Sequence, residues 1–546
     1  VEVAAKPAIR GAASIVRALE AHGVRYVFSI PGVHTLSLYR ALDDSAVIQT
    51  VLPRHEQGAG YMADGYARVS EGVGVAVTIT GPGVTNILTP IAQAFADSSR
   101  VFLIATNLER PFLNRLEGNL HELTDQLAVV RPVVKWAYRA MTADELAPAI
   151  AEGFRQLWTG RPRPVYLEVP LDLLDEATAL AVEPATPPPP SEPAPHLIEH
   201  AAQLLRNAKR VLVFAGGGAV SRRVAPLLKE FVEAIGAVVV TSLMGKGALP
   251  EDHPQVAGAF GYRWSPDNPV ATLMERSDLT IVIGSGLGVR TTANGTMPIP
   301  TPLIHIDIDE HEFGKRYQPD VALAADAAVT LSALLAAVHA GARPREGWTP
   351  EEIAPVKHAL RTPPDERTAR YVPYLEAVRA ALPREAIIVN DMTMLCYEGV
   401  RFLPVYEPRS YLFPRGFGTL GSSLPTAIGA KLARPDIPVV SLNGDGGFQF
   451  TLEELGVLAH YRFPVIVVIF NDSTHTAVKV AMHRAYPGHY RDVDLVNPDY
   501  VKLAAAYGLT AVRVASPSEL EVTLRHAVEA NEPMVIDVPI ALERYA

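Results

Sequence analysis

Short runs of consecutive apolar residues recur along the whole chain, separated by stretches whose apolar positions follow a helical period. In the first third, runs at 73–79 and 101–105 alternate with an amphipathic pattern at 12–22. The middle third has runs at 211–214, 238–241, 280–283 and 303–306, and the last third has 439–442 and 465–470. Apolar runs of this length read as parallel strands covered on both faces, and the periodic stretches as crossover helices. The alternation predicts an α/β protein built of doubly wound, mainly parallel sheets.

Where the alternation stops marks the units. A proline-rich stretch at 184–195 reads as a stiff exposed linker, and a polar, proline-bearing connection covers 343–365. Three domains follow, at 8–175, 196–340 and 366–546, since a chain of 546 residues is too long for one core. Their common architecture hints at an old duplication. With 48% hydrophobic and 20% charged residues, the chain has the make-up of a globular protein. No apolar run approaches the ~20 residues that span a bilayer, and residues 1–10 lack the order of a signal peptide. The net charge of −10 and the lack of a basic block argue against a nucleic-acid surface. The single cysteine, Cys396, excludes an internal disulfide framework and a thiolate metal site. These features predict a cytoplasmic enzyme with no membrane or nucleic-acid partner.

Two strand ends carry residue types that suit a cation and a phosphate. Gly444-Asp445-Gly446 follows the 439–442 run, and Asn471, after 24 intervening residues, follows the 465–470 run. Ligands collect at the carboxyl ends of strands in open α/β sheets. A carboxylate and an amide oxygen presented together suit a hard cation such as Mg²⁺, which keeps phosphate oxygens as further ligands. Glycines beside Asp445 let backbone amides approach a phosphate closely. Asp-Gly alone is ordinary turn chemistry; the second strand end makes the pair specific.

The spacing from Gly444-Asp445-Gly446 to Asn471 resembles the metal motif of thiamine-diphosphate (ThDP) enzymes. A second match spans Arg54-His55-Glu56-Gln57-Gly58-Ala59-Gly60-Tyr61 and continues to Arg68, followed by Gly81-Pro82-Gly83-Val84-Thr85-Asn86. Both are similar to the acetolactate synthase and benzaldehyde lyase group, as are 160–172, 304–309 and 418–430, so the resemblance covers nearly the whole chain. It implies a pyrimidine-binding N-terminal domain, a Rossmann-like central domain and a diphosphate-binding C-terminal domain. By resemblance, Asp445, Asn471 and the Ser473 carbonyl hold the metal, while Gly444, Gly446, Gly447 and Ser473 lie at the diphosphate; His475, just past the metal asparagine, is placed to reach the diphosphate or to line the pocket. Glu56 is implied to hydrogen-bond the aminopyrimidine of ThDP, and Leu420 to enforce the bend of the cofactor, a matter of geometry rather than acid–base work. Gly32, Asn86 and Gly418 complete the implied cofactor-binding set. His34 and His121 are implied to face the substrate as catalytic groups, since histidine moves protons near neutrality; His55 is read as structural. In the family the glutamate and the metal motif of one site come from different subunits, which implies a homodimer or homotetramer.

The central unit carries weaker signals. Gly216-Gly217-Gly218 and Gly284-Ser285-Gly286 follow strands, but Ser221 and Val289 stand where a dinucleotide fingerprint needs its third glycine. Asp307 and Asp309 suit a ribose or the end of a strand. By resemblance this domain binds FAD in acetolactate synthases and ADP in acyl-CoA lyases. Gly288-Val289-Arg290-Thr291-Thr292 replaces the arginine-aspartate-aspartate-arginine pattern of true acetolactate synthases, which counts against FAD. The failed glycine fingerprints equally disfavour an NAD-dependent dehydrogenase. The leading reading is decarboxylation of a pyruvate-like 2-oxo acid with carboligation to a carbonyl acceptor. The runner-up is a lyase for 2-hydroxy ketones or 2-hydroxyacyl-CoA, favoured by His34. A non-catalytic regulatory subunit is disfavoured by Glu56 together with the complete metal pair.

Overall fold

The computed structural model describes residues 8–179 and 181–540. Residues 1–7, within the segment read for a signal peptide, and 541–546, the end of the third predicted unit, lie outside the described residues. The apolar runs assemble into three six-stranded sheets, each parallel throughout. The first runs Gln49–Val51, Tyr26–Ser29, Gly74–Thr78, Val101–Asn107, Val165–Pro170 and Trp136–Arg139 from edge to edge. The third runs Tyr411–Leu412, Ile387–Asn390, Val439–Gly444, Val465–Asn471, Met534–Pro539 and Thr510–Arg513. Numbered within each sheet by chain order, both read 2-1-3-4-6-5. The central sheet reads 3-2-1-4-5-6, from Val256–Ala259 to Val321–Ala324. The common α/β architecture expected of all three units therefore holds, with one strand order shared by the first and third and another in the central unit. No helix among the described residues is long and apolar enough to cross a membrane.

The stretch read as a polar connection is not one. It contains the helix Pro350–Arg361, started by a Thr349 and Glu352 capping box with Pro350 in the first turn. Ile353, Val356 and Leu360 enter the central core beside Phe260, Trp264 and Trp348. Its exposed Glu351 and His358 and half-buried Lys357 hid a narrow apolar stripe at 353, 356 and 360. The proline-rich linker has no regular structure over 181–194. It is laid along the first domain, where the Ala185 N–H donates to His22 Nε2 at 2.9 Å.

The first and third domains share one core. Helix Glu56–Ser70 packs along helix Ser423–Ala433, with Met62, Ala63, Leu424, Ala427 and Ile428 in a single buried cluster. The contact is backbone against backbone. A Cβ on Gly65 would stand 2.1 Å from the Thr426 carbonyl oxygen, and one on Gly429 would stand 1.9 Å from that of Met62. No side chain fits either place, so both positions require glycine.

We predict that Gly429→Val forces the two helices apart and lowers stability by about 1–3 kcal/mol or more. Its urea midpoint should fall below that of the wild type; an unchanged midpoint would contradict the close approach.

Candidate active site

Strand Val439–Gly444 ends directly in the short helix Asp445–Phe448, and strand Val465–Asn471 ends beside it. Asp445, Asn471 and Ser473 are thereby brought together. Asp445 Oδ2 accepts from Asn497 Nδ2 at 2.6 Å, Asn471 Oδ1 accepts from the same nitrogen at 2.9 Å, and Ser473 Oγ lies 3.5 Å from it. Three oxygens thus converge on one amide donor. Burial raises the proton affinity of the Asp445 carboxyl, and the Asn497 hydrogen bond works against that rise. Asn471 is oriented from behind, its Nδ2 donating to Asp537 at 3.1 Å. The Ser473 carbonyl, the third ligand implied by the resemblance, accepts the Leu495 N–H at 2.8 Å, which leaves one of its two lone pairs. Ser473 itself sits in the left-handed region at φ 55°.

The neighbouring glycines are closely walled. A Cβ on Gly444 would meet Thr393, one on Gly446 would stand 2.7 Å from the His475 ring, and one on Gly447 would stand 2.6 Å from Asp391. Asp391 is fully buried and accepts from the Gly421 N–H at 3.0 Å and the Met392 N–H at 2.7 Å. Burial pushes its carboxyl up to about 7. It therefore pins the loop holding Gly418 (φ 72°) and half-exposed Leu420. The same loop is tied to the first domain, with Thr419 Oγ1 donating to Gln93 Oε1 at 3.2 Å.

A second cluster lies in the first domain. Glu56 opens helix Glu56–Ser70, and its Oε2 accepts from Asn86 Nδ2 at 3.0 Å. Gly32 precedes the short turn Val33–Thr35, which buries His34 against His121 with ring centroids 5.0 Å apart. Both Nδ1 atoms are buried without a hydrogen-bond partner. Burial, then the neighbouring His121, lower the proton affinity of His34. His55 caps the helix, its Nδ1 accepting the Gln57 N–H at 3.0 Å, in keeping with its structural reading.

No hydrogen bond, ion pair or ring contact joins the two clusters among the described residues. Exposed apolar side chains flank each: Val33, Leu36 and Leu120 beside the first, and Phe417, Phe450, Tyr486 and Val496 beside the second. Val496 is wholly exposed.

The sequence reading missed Asn497, Asp391 and Glu454. Asn497 precedes Pro498, a pairing that reads as an ordinary turn. Glu454 is fully buried, and its carboxylate accepts the N–H groups of Arg54 and His55 at 3.1 and 3.2 Å. A Cβ on Gly58 would stand 2.0 Å from it. An acid of the third domain thus holds the first turn of the helix that presents Glu56.

Comparison with known proteins agrees with this layout. Residues 9–129 match the thiamine pyrophosphate enzyme N-terminal TPP binding domain, 198–334 its central domain and 391–538 its C-terminal TPP binding domain. The chain belongs to the thiamine pyrophosphate enzyme family. A probable 2-ketoarginine decarboxylase of Pseudomonas aeruginosa is 37% identical, covering 97% of this chain and 94% of the relative. A probable acetolactate synthase large subunit of Methanocaldococcus jannaschii is 34% identical, covering 97% and 92%. The acetolactate synthase isozyme 3 large subunit of Escherichia coli is 31% identical, covering 97% and 95%. As a ThDP enzyme of the acetolactate synthase-like group, the chain is a catalyst rather than a regulatory subunit.

Glu454 makes a pH prediction. Burial raises its carboxyl from 4.5 to about 8, outweighing the Arg54 and His55 N–H groups that lower it. A carboxyl whose folded pKa is raised contributes stability that is complete below its unfolded pKa and lost as pH rises through the folded value. We expect wild-type urea midpoints to fall between about pH 5 and 8, and Glu454→Gln, neutral throughout, to fall less. Parallel curves for the two proteins would refute the assignment.

Proposed function

We propose that this chain uses ThDP and Mg²⁺ to decarboxylate a pyruvate-like 2-oxo acid and to join the acyl unit to a carbonyl acceptor. The observation that carries the reading is the convergence of Asp445, Asn471 and Ser473 oxygens on one Asn497 nitrogen. An all-oxygen acceptor set around a single donor position fits a hard cation. Asp445, Asn471 and Ser473 would hold Mg²⁺, and the amides of Gly446 and Gly447 would meet the diphosphate, with Gly444 and His475 closing its walls. ThDP, when bound, supplies the electron sink that lets a bond beside a carbonyl break.

The remaining work belongs to side chains of this protein. Glu56, steadied by Asn86, would share a proton with the aminopyrimidine, and Leu420, between Gly418 and Gly421, would back the rings. His34, lowered in proton affinity, is suited to accept and return a proton at the substrate oxygen, with His121 beside it and Gly32 leading into the turn. The separation of the Glu56 and Asp445 clusters within one chain, and the apolar side chains flanking both, support a site completed by a second copy, as homodimer or homotetramer. A cytoplasmic setting belongs to the same reading. A dinucleotide in the central domain does not, because Asp309 and Glu312 are engaged by Arg161. The His34–His121 pair favours a second reading, cleavage of a 2-hydroxy ketone or 2-hydroxyacyl-CoA.

Purified protein with ThDP and Mg²⁺, given a panel of 2-oxo acids and acyloins, distinguishes the two by CO₂ release against aldehyde release. Glu56→Gln should lower kcat by about 10²–10⁴-fold, and chelation of the metal should release ThDP. Turnover unaltered by Glu56→Gln would end the proposal.

A further inference from the structure

One buried amide links the parts of the first-domain cluster. Gln126 is fully buried at the start of helix Gln126–Val130, and both ends of its side chain are engaged. Its Oε1 accepts the Gly81 N–H at 2.8 Å, while Nε2 donates to the Thr106 carbonyl at 2.9 Å and to the Tyr166 hydroxyl at 3.0 Å. These partners fix the orientation, since a flipped amide would set Nε2 against the Gly81 N–H and Oε1 against the Thr106 carbonyl. Behind it, the Tyr166 hydroxyl donates to Glu168 Oε2 at 3.1 Å, and Glu168 Oε1 accepts from Asn107 at 2.8 Å and from Arg139. Thr106 and Asn107 lie on strand Val101–Asn107, Tyr166 and Glu168 on Val165–Pro170. Gln126 is thus moored to two inner strands of the first sheet.

Gly81 is where the cluster converges. It sits at φ 65°, and a Cβ there would stand 2.3 Å from the His121 carbonyl oxygen, so backbone lies directly on backbone. His121 is itself in the left-handed region, at φ 65°. The Gly81 carbonyl accepts the Thr85 N–H at 3.0 Å and so begins helix Pro82–Ala96. That helix carries Asn86, which donates to Glu56 Oε2 at 3.0 Å. Its first turn approaches the other carboxylate oxygen, for a Cβ on Gly83 would stand 3.7 Å from Glu56 Oε1. The free N–H groups and dipole at a helix N-terminus favour a carboxylate there. Glu56 and His121 therefore take their places from one turn, and the N–H of that turn is held by Gln126. A buried N–H is costly to leave without a partner, so loss of the amide oxygen would shift the turn.

We propose that Gln126 is a positioning residue of the active site: through Gly81 it sets helix Pro82–Ala96 against Glu56 and seats His121 beside His34. The geometry stands by itself; the consequence for Glu56 rests on the ThDP reading.

The test uses full-length protein with ThDP and Mg²⁺ and follows, by NMR, exchange of the cofactor's C2 proton for deuterium. This proton transfer needs no 2-oxo acid, and the proposed role of Glu56 drives it. Gln126→Met keeps length and bulk but has no group for the Gly81 N–H. Exchange should slow about tenfold to a hundredfold, the cost of a small misplacement at a reacting group, while ThDP affinity holds; kcat should fall in step, with KM unaltered. In Gln126→Glu the side chain is buried beside Glu168 and replaces the amide only when protonated, its carbonyl accepting from Gly81 and its hydroxyl donating to Thr106. Exchange in this variant should therefore approach the wild-type rate at low pH. A folded Gln126→Met that exchanges at the wild-type rate overturns the proposal. So does a Gln126→Glu that stays slow at every pH, which decides alone should Gln126→Met not fold. Wild-type protein that fails to speed C2 exchange sinks the ThDP reading only. In that case the ring signals of His34 and His121, compared without cofactor in the wild type and Gln126→Met, carry the test: they should shift, and unshifted signals overturn the positioning.

Discussion

The close approach of helices Glu56–Ser70 and Ser423–Ala433 is the constraint on which the rest of the molecule depends. Carbonyl oxygens of each helix press on a glycine of the other, leaving no space for a Cβ at Gly65 or Gly429. Dispersion and apolar burial both gain from so short an interaxial distance, and a packed interface of this kind deforms little. It welds the first and third domains into a single core with Met62, Ala63, Ala427 and Ile428 at its centre. The helix that carries Glu56 at its start is therefore held by the domain that carries Asp445.

That weld also bears on the proposal that one chain carries two half-sites instead of one whole site. With the inner faces of the domains spent on each other, the Glu56, His34 and His121 cluster lies apart from the Asp445, Asn471 and Ser473 cluster. Apolar side chains exposed beside both clusters, Leu36 and Leu120 on one and Phe450 and Tyr486 on the other, are costly in water unless covered. Identical topology in the first and third sheets makes the pairing of one domain with the other of a second copy geometrically natural.

How legible all this was depended on the range of the interactions. The strands that end at Asp445 and Asn471 could be read directly, because both are buried on both faces and open on apolar runs, with only Ser441 and Asn443 interrupting the first. Helix Pro350–Arg361 could not, because only Ile353, Val356 and Leu360 face inward and its solvent side looks like a linker. The motif residues were reached through resemblance, yet the reasons for several are visible only in three dimensions. Gly58 is small because Glu454, some 400 residues later, occupies the space beside it. Asn497 and Asp391 act across loops that no local pattern connects to the metal motif. His34 and His121 are far apart in the chain, and their 5.0 Å ring contact is a product of the sheet, not of spacing.

The same long-range ties bear on when the site becomes ordered. Gln93 holds Thr419, Asp97 holds the Gly416 N–H, and Glu454 holds the N–H groups of Arg54 and His55. Each tie runs between the first and third domains of one chain, and each fixes a loop that the proposed function places at the cofactor. The loops are thus preorganised by the chain's own core, so cofactor binding need not meet the cost of ordering them. In the proposed oligomer, a second copy would contribute the opposite half-site and an apolar cover.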